Sequence, residues 1–135
     1  MWLFLDPRDE KMIIKVGIME HGQEPWFFEY DRNKEISLLG AVYERLQSTD
    51  YSLQNLRGMI VVPGSGGFSV VRSAAVLANS IAFATKTPIL EIIPKNNETA
   101  EEIFKRGVKM IESGKRSGEI KPLYGKEPNI TIKKD

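Results

Sequence analysis

The chain contains no cysteine, which excludes disulfide bonds, thiolate metal ligands and a cysteine nucleophile. Its one histidine, His21, stands beside Gly22 between two strand-like runs, where we interpret it as a hairpin turn residue. A lone histidine cannot build a zinc site or the two-histidine motif of metallopeptidases, and no motif places a serine near it. The sequence therefore predicts no catalytic residue, no metal and no cofactor.

Excess charge and long apolar runs are also absent. Nineteen Lys and Arg residues face eighteen Asp and Glu residues, a net charge of +1, so the chain lacks the general basic surface of a nucleic-acid-binding domain. The longest apolar run, residues 74–84, is broken by Asn79 and Ser80 and falls short of the ~20 residues of a membrane span. The apolar residues 1–5 have no basic leader and soon meet Asp6. We predict a soluble, cytoplasmic protein without membrane contact.

The composition that remains is that of one globular domain, with 41% hydrophobic and 27% charged residues in a chain of 135. Hydrophobic spacing predicts strands at 2–5, 12–19, 25–30, 59–62 and 88–93, helices at 36–47, 69–86 and 98–113, and an extended tail from Glu119. The predicted helix ends are Ser69 as a cap of the second helix, Asn96 or Asn97 as a cap of the third, and Gly114 after it. This order predicts an α/β ribonuclease-H-like domain, half of the actin/hexokinase fold, with a mixed five-stranded sheet and flanking helices.

The most distinctive segment is a glycine-rich turn between the fourth strand and the second helix, Val62-Pro63-Gly64-Ser65-Gly66-Gly67-Phe68-Ser69-Val70-Val71-Arg72. The first N–H groups of a helix lack partners and lie at its positive end, so such turns often bind anions. One interpretation is an anion site formed by Gly64, Gly66, Gly67 and Ser69 with Arg72. The other, which we favour, is that the glycines only permit a tight turn and a close approach of the helix to the sheet. The spacing fits neither a P-loop nor a dinucleotide fingerprint.

The second helix carries more apolar surface than one buried face requires. Arg72, Asn79 and Lys86 fall on one line of the helix, with Ser73 and Ser80 beside them. This polar stripe occupies roughly 140° of the helix circumference and leaves about 220° for apolar or small residues. A helix that packs one face on a core needs an apolar stripe of only about 100° or a little more. Either other elements bury the helix or one side meets a partner. We favour a partner, because little else in so short a chain is left to cover it.

The glycine-rich turn resembles that of the TsaB-like proteins, bacterial accessory subunits for making threonylcarbamoyl-adenosine in tRNA, whose pattern is Gly-Pro-Gly-x-Gly-Ser-Phe-Thr-Gly-Leu-Arg. The positions that match it letter for letter are Pro63, Gly64, Gly66, Phe68 and Arg72, while Val62, Gly67 and Val70 depart from it. Weaker similarities occur in family order at Leu3-Phe4-Leu5-Asp6, Ser37-Leu38-Leu39, Thr87-Pro88-Ile89 and the tail 122–131. Gly125 and Lys126 replace Leu-Arg in that tail.

Typical members of this family are far longer. The resemblance therefore implies a single TsaB-like N-terminal-type domain over 1–135, with 96–135 as closing helix and C-terminal tail and most of the second subdomain missing. In the family the first two helices pack against those of TsaD, the catalytic subunit, or of another TsaB. By resemblance the same role falls to Leu39, Val42, Tyr43, Leu46, Ala75, Leu77, Ala78 and Ala82. The alternative is that all of these residues are core.

We therefore predict a non-catalytic subunit that binds and organises a TsaD-like enzyme, joined by a TsaE-like ATPase, with only indirect contact to tRNA. Two alternatives stay open: a small nucleotide-binding enzyme of the actin/hexokinase superfamily, and a homodimeric structural protein that uses the same helices. Asp6 stands where that superfamily has a phosphate-loop acid, but Pro7 follows and removes a backbone donor. We interpret Asp6 as a turn residue paired with Arg8 or Lys11.

Overall fold

The computed structural model describes residues 1–8, 12–31, 33, 36–64 and 68–121, and only the backbone of residues 68–70. Within these ranges the strands are β1 (Trp2–Asp6), β2 (Ile13–Met19), β3 (Trp26–Asp31), β4 (Gly58–Val61) and β5 (Ile89–Glu91). The helices are α1 (Leu38–Leu46), α2 (Phe68–Thr85) and α3 (Ala100–Glu112), and a 3-10 turn, Leu53–Asn55, precedes β4. All the predicted strands and helices are present, with their ends displaced by no more than two residues. The tail 122–131 that resembles the family lies outside the described residues.

The strands form one sheet in the order β3-β2-β1-β4-β5. The β1–β2 and β2–β3 pairs are antiparallel, and the β1–β4 and β4–β5 pairs are parallel. Parallel neighbours need a long crossover, and α1 and α2 supply the two crossovers. The mixed five-stranded ribonuclease-H-like sheet predicted from the sequence is confirmed.

The turn between β2 and β3 contains His21, as predicted. Gly22 adopts a φ of 75°, a left-handed conformation that glycine adopts without steric cost. The N–H of Gln23 donates to the carbonyl oxygen of Glu20 at 2.9 Å and closes the turn. His21 is exposed there.

The core has two layers because successive side chains of a strand point to opposite faces of the sheet. On β1, Leu3 and Leu5 pack in the cluster that includes α1 and α2. Trp2 and Phe4 pack in the cluster that includes α3, where the rings of Phe4 and Phe104 stack with centroids 5.1 Å apart. Both faces of the central strand are therefore covered by helices.

At the start of α3 the predicted cap is wrong, and at its end the predicted glycine is confirmed. Thr99 caps the helix: its hydroxyl accepts from the N–H of Glu102 at 3.1 Å, and the Glu102 carboxylate accepts from the N–H of Thr99 at 2.9 Å. This reciprocal capping box, rather than Asn96 or Asn97, begins the helix. Gly114, with a φ of 98°, ends it as predicted, since its N–H donates to the carbonyl of Ile111.

The start of α2 also differs from the prediction. The helix begins at Phe68, so Ser69 is its second residue and not its cap. The capping position precedes Phe68 and lies outside the described residues. At the other end, Lys86 has a φ of 58° and its N–H donates to the carbonyl of Ala82, which terminates the helix.

Candidate functional site

Residues 116–121, here called the strap, close against α2 and β5. The side-chain amide of Asn79 donates to the carbonyl of Ile120 at 2.9 Å and accepts from its N–H at 2.8 Å. The N–H of Ser117 donates to the carbonyl of Ile89 at 2.7 Å, and its hydroxyl accepts from the N–H of Glu91 at 2.9 Å. Ile120 is buried in the same cluster as α2. The strap thus covers part of the apolar surface of α2 that we expected a partner to cover.

Most of the predicted partner-contacting side chains belong to the core. The five buried ones, with 6% exposure or less, are Val42, Leu46, Ala75, Leu77 and Ala78. They pack in the cluster between the sheet and the paired helices α1 and α2. A side chain that the monomer already buries has no area left for a partner to cover, so these five assignments are corrected to core residues.

Four large apolar side chains on the same two helices do face solvent. Leu39 and Tyr43 on α1 are 47% and 59% exposed, and Val76 and Phe83 on α2 are 55% and 90% exposed. We call these four residues the outer apolar face. Ala82, also predicted at the interface, is partly buried. Exposed apolar side chains grouped on paired helices are typical of a binding surface.

Val76 and Phe83 were absent from the residues predicted at the interface. They are seven residues apart, and a helix turns about 100° per residue, so they lie within about 20° of each other on α2. The spacing was a usable signal. This signal did not show which face of the helix is buried, because alanine occupies positions 74, 75, 78, 82 and 84, which point in several directions around the helix.

The described part of the glycine-rich turn is tightly packed. A Cβ added to Gly64 would lie 2.6 Å from Cγ2 of Val71 and 3.0 Å from the carbonyl oxygen of Pro7, so glycine is required for this approach. Glu91 lines the same small cavity, and burial raises the pKa of its carboxyl group. Lys121 lines this cavity as well, so the two side chains leave no local excess of positive charge to attract an anion.

These contacts support the structural interpretation of the turn. Arg72 is exposed on the first turn of α2. Gly66 and Gly67 lie outside the described residues, as does the side chain of Ser69. The anion site predicted at these positions stays a prediction.

Asp6 is held by Arg8. The guanidinium donates from Nε to Oδ1 of Asp6 and from a terminal nitrogen to Oδ2, both at 2.8 Å, and the N–H of Arg8 donates to Oδ1 at 3.2 Å. These bonds raise the pKa of the Arg8 guanidinium. Pairing with Arg8 is confirmed, while Lys11 lies outside the described residues. A carboxylate with both oxygens engaged by a guanidinium is poorly placed to bind a metal ion.

Two kinds of feature are absent from the described residues. They contain no group of three or more His, Cys, Asp or Glu side chains arranged to hold a metal ion. None of the three helices combines the length and apolarity that crossing a membrane requires, within the same ranges.

The sheet order and the two crossover helices define the class of protein, an α/β ribonuclease-H-like domain of the kind that forms half of the actin/hexokinase fold. Among solved structures, this chain is similar to YeaZ from Pseudomonas aeruginosa, with a TM-score of 0.58 and 23% identity over 68% of its length. It is also similar to an uncharacterized protein with similarity to peptidase YEAZ from Pseudomonas aeruginosa, with a TM-score of 0.57 and 22% identity over 68% of this chain. No family model and no curated protein matches the chain.

The aligned part is 43% of the YeaZ chain and 42% of the second structure, so this chain spans less than half the length of the proteins it resembles. The resemblance to the YeaZ (TsaB) proteins that the sequence predicts is confirmed in the fold. Identities of this size establish the fold alone, and the activity and partners of those proteins are not transferred with it.

Proposed function

We propose that this chain is a non-catalytic partner subunit that binds and organises a TsaD-like enzyme in the threonylcarbamoyl-adenosine modification of tRNA. The observation that carries the proposal is the outer apolar face. Its four residues lie on α1 and α2, the two helices through which the resembled family contacts TsaD. The likeness of the fold to that of YeaZ from Pseudomonas aeruginosa, with a TM-score of 0.58, supports the proposal.

The physical argument rests on exposed area. Fully burying one exposed large apolar side chain contributes about 1.5–3 kcal/mol. Leu39, Tyr43 and Val76 are about half exposed, so each offers a partner part of that gain. Phe83 is 90% exposed in the monomer and therefore gains the most from a partner. Five of the neighbouring core residues keep α1 and α2 in fixed positions, so little order has to be imposed on binding.

The remaining parts of the proposal concern the assembly. With a net charge of +1 the chain contributes little phosphate neutralisation, so contact with tRNA would be indirect. A TsaE-like ATPase would join the complex, and the complex would act in the cytoplasm. We propose one domain over residues 1–135, with 96–135 as its closing helix and tail.

The competing explanation for the same face is a homodimer. Two copies joined through α1 and α2 would cover the same four side chains, in the manner of a four-helix bundle. The other alternative, a nucleotide-binding enzyme that uses Asp6, is disfavoured by the two bonds from Arg8.

The proposal is tested by reconstituting the modification. Transcribed tRNA, threonylcarbamoyl adenylate, and the TsaD and TsaE homologues of the same genome are combined with and without this chain, and the modified adenosine is measured by mass spectrometry. We expect modification to depend on the chain. Equal modification in its absence would contradict the proposed function.

A further inference from the structure

A groove of about 700 Å³ lies between the C-terminal half of α2, the start of β5 and the strap. Its size is within the range of about 300–1,000 Å³ that is usual for small-molecule sites. The wall is apolar at Ala82, Pro88 and Ile89 and polar at Thr87 and Ser117. The strap is anchored at both ends, by Ser117 on β5 and by Ile120 on Asn79, so the groove has fixed sides.

Two exposed cations line this groove, Lys86 at the end of α2 and Arg116 at the start of the strap. Within the described ranges neither of them forms an ion pair. The acidic residue among the lining side chains is Glu119, so two positive charges against one negative charge leave a local excess of one positive charge. An anion is therefore favoured here, in contrast to the cavity at the glycine-rich turn, where the charges of Glu91 and Lys121 balance.

Phe83 completes the groove. It is the most exposed of the large hydrophobic side chains, at 90%, and stands one turn before Lys86 on α2. An exposed ring beside unpaired cations is how proteins hold nucleotides, since every base can stack on an aromatic face while the cations meet the phosphate. We propose that this groove binds a nucleotide, with its base on Phe83 and its phosphate at Lys86 and Arg116.

The groove lies at the opposite end of the sheet from Asp6. Because β1, β4 and β5 are parallel, Asp6 and the glycine-rich turn share the edge at which these strands end. Thr87, Pro88 and Ile89 stand where β5 begins, at the other edge. The proposed site is therefore separate from the phosphate-loop position of actin- and hexokinase-like proteins. Phe83 also belongs to the outer apolar face, so a partner that covers this ring would compete with the nucleotide.

The test uses the isolated full-length chain, with amide chemical shifts and titration calorimetry as readouts. We expect AMP to bind saturably, to shift the amides of residues 83–89 and 116–119, and to bind more weakly as salt is raised. Adenosine and inorganic phosphate should each bind more weakly than AMP. A dinucleotide, pApA, distinguishes the source of the ligand: tighter binding than AMP assigns the groove to single-stranded RNA, and equal binding assigns it to a free nucleotide.

Two variants remove the two halves of the site. Phe83→Ala should weaken AMP binding by about tenfold, and the double variant Lys86→Ala/Arg116→Ala should do so by a similar factor. The matched controls are Val76→Ala, an exposed apolar residue of α2 outside the groove, and Lys109→Ala, an exposed cation of α3. Both should bind AMP as the unmodified chain does.

Three results would overturn the inference. The first is no shift at residues 83–89 and 116–119 up to roughly 10 mM AMP, a concentration that would reveal even millimolar affinity. The second is binding of phosphate as tight as that of AMP, which would leave no role for the ring. The third is unchanged affinity in Phe83→Ala. None of these measurements involves a partner protein, so a failure here leaves the proposed function untouched.

Discussion

At the scale of single residues, the carboxylate of Glu98 is held by three hydrogen bonds. Arg106 donates to both of its carboxylate oxygens at 2.7 Å, and the N–H of Lys95 donates to one of them at 2.9 Å. The same guanidinium donates to the carbonyl of Ile93 at 2.8 Å, which joins the end of β5 to α3. The hydrogen bonds from Arg106, and then that from Lys95, lower the pKa of Glu98 from 4.5 to about 2.

We predict that Glu98→Gln destabilises the fold at neutral pH and loses this effect in acid. Because the folded-state pKa is lowered, the stabilisation is present above the unfolded-state pKa and disappears as the pH falls from 4.5 towards about 2. Urea unfolding of the variant and of the unmodified chain at several pH values measures it, with Glu112→Gln, an exposed acid of α3, as the control. A difference in unfolding free energy that is constant with pH would contradict the prediction.

Some helix caps and ion pairs could be predicted from the sequence and others could not. The pairing of Asp6 with Arg8 was predictable because the two residues are close in the chain and follow a strand. Asn96, Asn97 and Thr99 are all residue types that cap helices, so residue type alone could not choose among them. Glu102, three residues after Thr99, was the deciding signal, since the capping box requires both.

At the scale of the elements, α3 lies close against the sheet at Gly107. A Cβ built there would lie 2.5 Å from Cγ1 and 2.9 Å from Cγ2 of Ile60, a fully buried residue of β4. We predict that Gly107→Ala destabilises the fold, because overpacking costs about 1–3 kcal/mol. Alanine has a higher helix propensity than glycine, which stabilises the variant by about 1 kcal/mol. This gain is smaller than most of the expected cost of overpacking.

Thermal or urea unfolding measures this change, with Gly118→Ala in the strap as the control. A Cβ at Gly118 meets no atom within 4 Å, so its substitution should be nearly neutral. Equal stability of the two variants would show that Ile60 gives way to the added methyl group.

The strap depends on Asn79. Its amide satisfies both backbone groups of Ile120, which is 4% exposed, so removing the amide leaves a buried N–H and carbonyl without their partner. We predict that Asn79→Ala costs about 1–3 kcal/mol and lowers the hydrogen-exchange protection of the Ile120 amide. Ser80→Ala, an exposed neighbour on α2, serves as the control. Undiminished protection of Ile120 would mean that other contacts hold the strap.

For α2, the sequence predicts the bounds of the helix but not which of its side chains are exposed. Its bounds were predicted to within one residue, because hydrophobic spacing and the glycine-rich turn mark them. Which apolar residues face outward depends on packing against the sheet, α1 and the strap, whose anchor joins Asn79 to a residue 41 positions away. Such a long-range contact leaves no periodic signal, so Ala78 was assigned to a partner although it is fully buried.

For the molecule as a whole, the topology was the most predictable feature. Three strands followed by alternating helices and strands permit few sheet orders once crossovers are right-handed, and the observed order β3-β2-β1-β4-β5 is among them. The partner surface was less predictable, because exposure is a property of the assembled layers. Leu39 and Tyr43, which were predicted to contact a partner, are exposed, and the exposure of Val76 and Phe83 became apparent only from the packing of α2.

The measurement that tests the proposed partner role most directly is co-elution of this chain with a TsaD homologue of the same genome, with and without ATP, using light scattering for stoichiometry. We predict a stoichiometric complex for the unmodified chain. Val76→Asp should weaken it by about a hundredfold or more, because an uncompensated charge buried in an interface costs about 3–5 kcal/mol. Ile93→Asp, a change at an apolar residue that is 68% exposed and lies outside α1 and α2, should leave the complex intact. Separate elution of the unmodified chain, or a complex that Val76→Asp does not weaken, would contradict the account.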